Sequence, residues 1–446
     1  MHVGLRATST LIAALLLALP VAASSSPPPE ARAAAPGVAF ASVACPEAIE
    51  DYADCHAVRE AQGAWVLVAM PREWNRRLVV HAHGGPRLGD PELAESLEDL
   101  ARFAVMVREG YAWVGSSYRR GGYGVRIAAE DVERSRQLFV AQWGAPQRTL
   151  LHGQSWGGNV AAKLAELHAL DDEGQPRYNA VFTTNGVLSG GTRAYGFRAD
   201  LRAVYQYYCR NHPAPDEPGY PLWMGLPEGS SMDRAMLEER VNACTGLDRS
   251  PEQRTPEQSA ALRDILAVTG IVEDTLVAHL AWGTFHFRDL VQRHLDGRNP
   301  FDNRQVRYRG SADDDALNAE VERFDADPVA LARLGYDADL SGLIVLPTLT
   351  MHAAGDPVVS PSAQNAYAAV VTSAGRSALL AQVRTDESDH SRPSEATVTT
   401  ALRGLERWLD TGVAPDVEAM QKDCLEHASS KADCKFLALS HDEAAR

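Results

Sequence analysis

The sequence predicts an α/β protein: a mostly parallel central sheet with helices on both faces and a large helical cap inserted partway along. Three observations predict it. Short valine-rich runs closed by Pro or Gly alternate with helical periodicity as far as about residue 188. From 189 to 335 the alternation stops and helix-like segments take over. Strand grammar then returns at 342–356 and, more weakly, at 377–385. Strands separated by helices pair in parallel through crossover units, and such sheets are covered on both faces.

The elements follow in order. "AWVLVAMP" (64–71) and "RLVVHAHGG" (77–85) are β-branched runs that end in ladder-breaking residues. Leu93, Leu97, Leu100, Phe103, Ala104 and Val107 recur at helical spacing and stop at Gly110. "YAWVGSSY" (111–118) is a strand, "RRGGYG" a glycine-rich turn, and "AAEDVERSRQLFVAQWG" a helix ending at Gly144. "RTLLHGQ", "GNVAAKLAELHAL" and "YNAVFTTNG" (178–186) repeat the cycle of strand, helix and strand. Inside the insertion, "SMDRAMLEERVNAC" and "QSAALRDILAVTGIVEDTLVAHLAWGTF" are helical. Val398, Leu402, Leu405, Trp408 and Leu409 mark a last amphipathic helix. The sheet domain is thus expected in two parts, 45–188 and 336–412, around a cap over 189–335, with a helical tail over 413–446.

The amino terminus reads as an export signal. Arg6 supplies a positive start, Leu11 to Leu19 an apolar run, and Val21-Ala22-Ala23 a small-residue cleavage site, so 1–23 is expected to be removed. A membrane anchor would need a longer apolar stretch. Residues 24–44, opening with a tract rich in Ser, Pro and Ala, are expected to be a disordered leader. The net charge of −16 argues against a nucleic-acid partner, which requires a basic face. Six cysteines, all beyond the signal, favour disulfides in an oxidising compartment. Nearest-neighbour pairing is expected: Cys45 with Cys55, Cys209 with Cys244, and Cys424 with Cys434. Zinc is the weaker reading, because no two-residue Cys spacing or His pair accompanies them.

Chemistry enters at Gly153-Gln154-Ser155-Trp156-Gly157, where a strand runs into a helix. This is the G-x-S-x-G pattern of a sharp turn that lifts a serine above a parallel sheet. A hydroxyl is a poor nucleophile without a base that an acid holds in place. In this architecture acid and base follow the serine in that order. Asp356 stands just past the strand "TLTMHAAGD", and His390 stands in "RTDESDHSRPSE" before the last helix. His352 lies on its strand and packs, His152 reads as a buried histidine, and His279, His286 and His294 belong to the cap. Asp389 competes with Asp356, but its adjacency to His390 points its side chain elsewhere. An oxyanion needs two backbone N–H groups, one from Trp156 and one from the loop His83-Gly84-Gly85-Pro86, with Gly84 and Gly85 both open.

As a set, the HGGP loop, the G-Q-S-W-G-G turn, the strand-end "GDP" and the "DH" pair resemble the α/β-hydrolase superfamily over roughly 56–190 and 336–412. The resemblance implies the α/β-hydrolase fold and acyl transfer through Ser155, with no metal and no organic cofactor. The strands around "MPREWNRRLVVHAHGG" look like those of secreted ester-cleaving hydrolases. HGGP and G-x-S-W-G also resemble prolyl aminopeptidases, although Arg87 replaces the glycine that usually continues HGGP there. Ester hydrolysis is the preferred reading, exopeptidase the alternative, and a non-catalytic binding protein on a hydrolase fold the alternative of another class. The expected partner is a small-molecule or oligomeric acyl substrate, with no membrane contact after signal removal. Trp223, Trp282 and Phe285 of the cap are candidate substrate contacts. Glu217, Glu238 or Glu239 would anchor an amine in the exopeptidase reading, and Arg119 or Arg120 an anionic substrate. The aspartates of "SADDDALN" (311–318) read as a solvated turn rather than a calcium loop.

Overall fold

The computed structural model describes residues 39–437; the expected signal peptide and most of the leader lie outside the described residues. Among the described residues ten strands form one sheet: β1 (Ala41–Val43), β2 (Ala53–Arg59), β3 (Trp65–Pro71), β4 (Arg77–Ala82), β5 (Ala112–Ser116), β6 (Arg148–Gln154), β7 (Ala180–Thr184), β8 (Thr348–Ala353), β9 (Leu380–Thr385) and β10 (Phe436–Leu437). Their spatial order is β1-β2-β3-β5-β4-β6-β7-β8-β9-β10. From β5 across to β9 every neighbouring pair is parallel, and the flanking pairs are antiparallel.

The central strands read as unbroken apolar runs because both faces are buried. Successive side chains alternate between faces. Val66, Val68, Leu78, Val80 and Leu151 pack with the helices Val125–Trp143 and Trp156–His168. Leu67, Val79, Trp113, Leu150 and Phe182 pack on the other side with Leu93–Arg102 and Glu395–Thr411. The chain leaves β4 for β5 on one side and then crosses to β6 on the other. The carboxyl ends of β4 and β6 therefore flank a topological switch point, where a crevice opens in sheets of this kind.

Among the described residues no strand falls between β7 and β8. That stretch is helical, beginning with Gly191–Cys209, Arg234–Thr245 and Pro256–Thr269. The expected continuous helix over 258–285 is broken at Gly270, which caps Pro256–Thr269 in the left-handed region at φ +68°. The acidic turn is spent locally. Asp313 caps the helix Asp314–Glu320, Asp314 accepts from Ser311, and Asp315 pairs with Arg307 at 2.7 Å.

Several boundaries differ from expectation; the helix Pro328–Ala338, for one, runs across the expected end of the cap at 335. Residues 41–43, read as leader, form β1, because Ala41 and Val43 find β2 partners in Ala57 and Cys55. The strand expected over 342–356 starts only at Thr348, after Pro347, whose nitrogen carries no proton for the ladder. The tail holds the helix Val417–His427, and its last described residues pair as β10 on the edge of β9. Disulfides join Cys45 to Cys55, Cys209 to Cys244 and Cys424 to Cys434. The second ties the helix Gly191–Cys209 to Arg234–Thr245.

Candidate active site

Ser155 sits between β6 and the helix Trp156–His168 with φ +56° and ψ −126°, a conformation rare for a residue with a side chain. Its surroundings over-determine it. Ser155 N–H donates to Thr184 O at 3.1 Å, and Ser155 O accepts from Gly158 and Val187 N–H at 2.9 Å each. The flanking glycines leave no room for anything larger. A Cβ on Gly153 would stand 2.2 Å from Gly157 O, and one on Gly157 would stand 2.0 Å from Ala82 O. The turn is thus wedged against the end of β4, and the helix that follows points its positive end toward the hydroxyl.

The structure brings Asp356 and His390 to this point. His390 Nε2 lies 2.7 Å from Ser155 Oγ, and His390 Nδ1 lies 2.7 Å from Asp356 Oδ2. An ionised carboxylate only accepts, so Nδ1 carries the proton and Nε2 is left to accept from the serine hydroxyl. Asp356 Oδ1 accepts from the N–H groups of Val358 and Val359 at 2.8 and 3.0 Å. Burial alone would raise the Asp356 carboxyl. Hydrogen bonds from His352 and His390, the His390 charge and the Val359 N–H outweigh it and hold the group well below the usual carboxylate range. Asp389 is exposed and caps its own turn, accepting from Ser391 N–H at 2.7 Å.

The loop after β4 lies beside the serine. A Cβ on Gly84 would come within 3.1 Å of Ser155 Cβ, whereas one on Gly85 would meet only Arg87 Cγ at 3.9 Å. Gly85 makes the turn in the left-handed region at φ +67°. The His83 ring stacks on Tyr118 at 3.9 Å, and its Nδ1 donates to Gly84 O at 2.9 Å. Burial first, then the Arg87 charge, lowers His83 to about 4, so the ring is neutral at pH 7 and serves as a brace.

The other histidines are engaged elsewhere. His152 pairs with His81 through their Nδ1 atoms at 2.9 Å and is lowered to about 3 by burial. His352 Nε2 donates to Val359 O at 2.9 Å, beneath Asp356. His279 Nε2 meets Pro357 O at 3.3 Å, His286 Nε2 meets Pro86 O at 3.1 Å, and His294 Nε2 lies 3.4 Å from Asp289.

Of the aromatic candidates, Trp282 meets Tyr195 edge-on at 4.5 Å, and Tyr195 OH accepts from Trp156 Nε1 at 3.3 Å. Trp282 is thereby one ring away from the residue after the serine. Trp223 and Phe285 are half-buried and pack against the hydrophobic core. The acidic candidates for an amine anchor are not free for it. Glu217 is held by Arg240 and by Ala214 N–H, while Glu238 and Glu239 are exposed on the helix Arg234–Thr245. Arg119, a candidate for an anionic substrate, is paired with Asp131 and Glu130. Arg120 Nη2 donates to Tyr123 O at 3.2 Å.

Two side chains that the sequence reading passes over brace the histidine loop. Asn185 Nδ2 donates to His390 O at 2.7 Å and to Asp389 O at 3.2 Å, while its Oδ1 accepts from Ala353 N–H at 2.8 Å. Gln154 Nε2 adds a bond to His390 O at 3.1 Å. Asn185 sits just past β7 at φ +48°, and the signal that could have found it is "TTNG", an asparagine-glycine turn at a functional strand end. Asn185→Ala is expected to lower kcat about 10- to 100-fold with KM little changed, because the imidazole loses its register rather than the substrate its contacts. Asn185→Asp, which keeps the acceptor for Ala353 but loses the donor, is expected to fall with it, as steady-state kinetics would read.

Strand order, the serine turn at the switch point and the helices on both faces define the α/β-hydrolase fold. No family model and no curated protein matches the chain. Among solved structures it is similar to lipase A of Candida antarctica (12% identity, 86% of this chain and 83% of that one, TM-score 0.45). It is also similar to a rice cell wall degrading esterase, LipA, from Xanthomonas oryzae (15%, 80% and 90%, TM-score 0.38). A third is an esterase from Aspergillus oryzae (15%, 81% and 80%, TM-score 0.37).

Proposed function

We propose that this protein is an exported serine hydrolase that cleaves carboxylic esters through an acyl-enzyme on Ser155, with His390 as general base and Asp356 as its orienting acid. The observation that carries the reading is the unbroken pair of 2.7 Å contacts from Asp356 through His390 to Ser155 Oγ. Three side chains far apart in sequence meet at one strand edge in hydrogen-bond register, and a hydroxyl gains nucleophilicity by this arrangement. Export is supported by the signal-like amino terminus and by three disulfides.

The steps follow from the geometry. Ser155 Oγ attacks the ester carbonyl while His390 Nε2 takes its proton. Asp356 keeps Nδ1–H in place and stabilises the imidazolium that forms. The negative oxygen is held by the N–H of Trp156 and by an N–H of the Gly84-Gly85 turn, donors worth roughly 3–4 kcal/mol each in the transition state. His390 returns the proton to the leaving alkoxide, the alcohol departs, and the acyl group remains on Ser155. Water, deprotonated by the same imidazole, then releases the acid and restores the serine.

Ester is favoured over amide for a stated reason. An aminopeptidase needs a buried carboxylate to anchor the substrate's amine, and the acidic candidates of the cap are paired or exposed. The test compares 4-nitrophenyl acyl esters with aminoacyl 4-nitroanilides on the mature protein. Ester turnover exceeding anilide turnover is the expected result. Efficient anilide cleavage with negligible ester cleavage would overturn the choice of substrate class while leaving the serine mechanism standing.

A further inference from the structure

Arg198, on the helix Gly191–Cys209, is only 8% exposed. Its Nη1 donates to Ala194 O at 2.8 Å, and its Cζ lies 4.5 Å over the Trp282 ring. Its Nε is buried and has no hydrogen-bond partner, and no carboxylate among the described residues balances its charge. Arg202, one turn on, also has a buried Nε without a partner, but the rest of its guanidinium is committed to the cap. Its Nη1 donates to Gly225 O, Gly283 O and Thr284 Oγ1, each at 3.1 Å. Arg198 lacks such a set.

Its neighbours place it at the candidate site. Trp282, under the guanidinium, stacks on His286 at 4.5 Å, and His286 bonds Pro86 O of the Gly84-Gly85 loop. Trp282 also touches Tyr195, which bonds the Trp156 indole. His279, next to Phe197, bonds Pro357 O beside Asp356. The cluster thus reaches the loops that carry the oxyanion turn, the nucleophile and the acid. Burial first, and then the Arg198 charge, lowers His279 and His286 to about 4 each, so both are neutral at pH 7. Arg198 itself, lowered by burial to about 10, stays protonated and is the cluster's standing charge.

A buried charge without a counter-ion is costly, and a planar guanidinium with an unused Nε edge matches the two oxygens of a carboxylate. We propose that Arg198 forms a subsite for a carboxylate group of the substrate, so that the ester cleaved at Ser155 is anionic; this rests on the acyl-transfer reading above. The carboxylate belongs either to the acyl chain or to the leaving group, and the two are separable by substrate design.

The experiment uses the mature protein and two substrate pairs. One sets 4-nitrophenyl hemiglutarate against 4-nitrophenyl butyrate, with the charge on the acyl side. The other sets 4-carboxyphenyl acetate against phenyl acetate, with the charge on the leaving side. In one pair the anionic ester is expected to win in kcat/KM, and Arg198→Gln is expected to cut that anionic-to-neutral ratio about 10- to 100-fold. Arg198→Lys is expected to retain part of it. Should the ratio be unchanged in Arg198→Gln, or should the wild type prefer the neutral ester in both pairs, the subsite does not exist. If the variants do not fold, the wild type still decides through inhibition of neutral-ester turnover: glutarate must inhibit competitively and glutaramide must not. Failure of the acyl-transfer reading looks different, as loss of all ester turnover and of Ser155 labelling. In that case calorimetric binding of glutarate to the unmodified protein decides the subsite by itself.

Discussion

Ser155→Ala is expected to lower kcat on an activated ester by about 10^4- to 10^6-fold and to abolish covalent labelling by a fluorophosphonate. The size follows from the mechanism: without Oγ there is no acyl-enzyme, and what remains is water attack assisted by bound-substrate orientation and the oxyanion donors. His390→Ala is expected to cost about as much, since Ser155 Oγ at 2.7 Å from Nε2 then has no base to take its proton. The double variant is the sharper measurement. Residues that act as one unit are not additive, so Ser155→Ala with His390→Ala should be no slower than either alone. A double variant slower by the product of the two single effects would mean that the two side chains work independently, and the relay would be wrong. Folding is readily checked, because Ser155→Ala removes one exchangeable group and leaves the backbone bonds to Thr184, Gly158 and Val187 in place.

Asp356→Asn is expected to lower kcat about 10^4-fold while the protein stays folded. The carboxylate now forces Nδ1 of His390 to carry the proton. An amide can present its NH₂ to the same nitrogen, which moves the imidazole proton to Nε2 and leaves nothing to accept from Ser155. Asp356 is also held ionised, because the bonds from His352, His390 and Val359 outweigh the cost of its burial. The carboxylate form is therefore present throughout the neutral range, and raising the pH is not expected to change its role. Measuring kcat together with far-ultraviolet circular dichroism separates this from unfolding. Near-wild-type turnover by Asp356→Asn would transfer the acid role to another residue.

Much of this site is legible in the sequence, for reasons that differ by residue. Ser155 is legible because the constraint is local: Gly153 and Gly157 have to be small so that the turn can press on β4, and the residues on either side already read as strand and helix. Asp356 and His390 are legible because chain order in this topology puts them past the ends of consecutive strands, β8 and β9. Asn185 is not, since an asparagine-glycine turn says nothing of which carbonyl it will meet across 205 residues of chain. The edges of the sheet are not legible for a similar reason. β1 and β10 are three and two residues long, and such segments become strands only because an edge is offered to them.

The arginines make the same point about charge. Arg119 and Arg120, in a glycine-rich loop, carry the outward signs of an anion site, yet Arg119 is neutralised by Asp131 and Glu130. Arg198 sits inside "GTRAYGFRADLRAVYQYYC" with nothing to distinguish it from Arg202 four residues later. One guanidinium donates to several groups across the cap, and the other lies over an indole with a single backbone bond.

By itself the sequence determined the alternating strands and helices and the glycine-framed serine turn, and it singled out Asp356 and His390 as the side chains to stand beside that turn, because periodicity, glycine sterics and strand order are properties of the chain read along its length. Only the tertiary structure decided that Gly84 rather than Gly85 lies against Ser155, that Asn185 and Gln154 steady His390, and that Arg198 is left without a counter-ion. Those outcomes depend on which groups meet through space, and a buried hydrogen bond or an unbalanced charge exists only once its surroundings have closed around it.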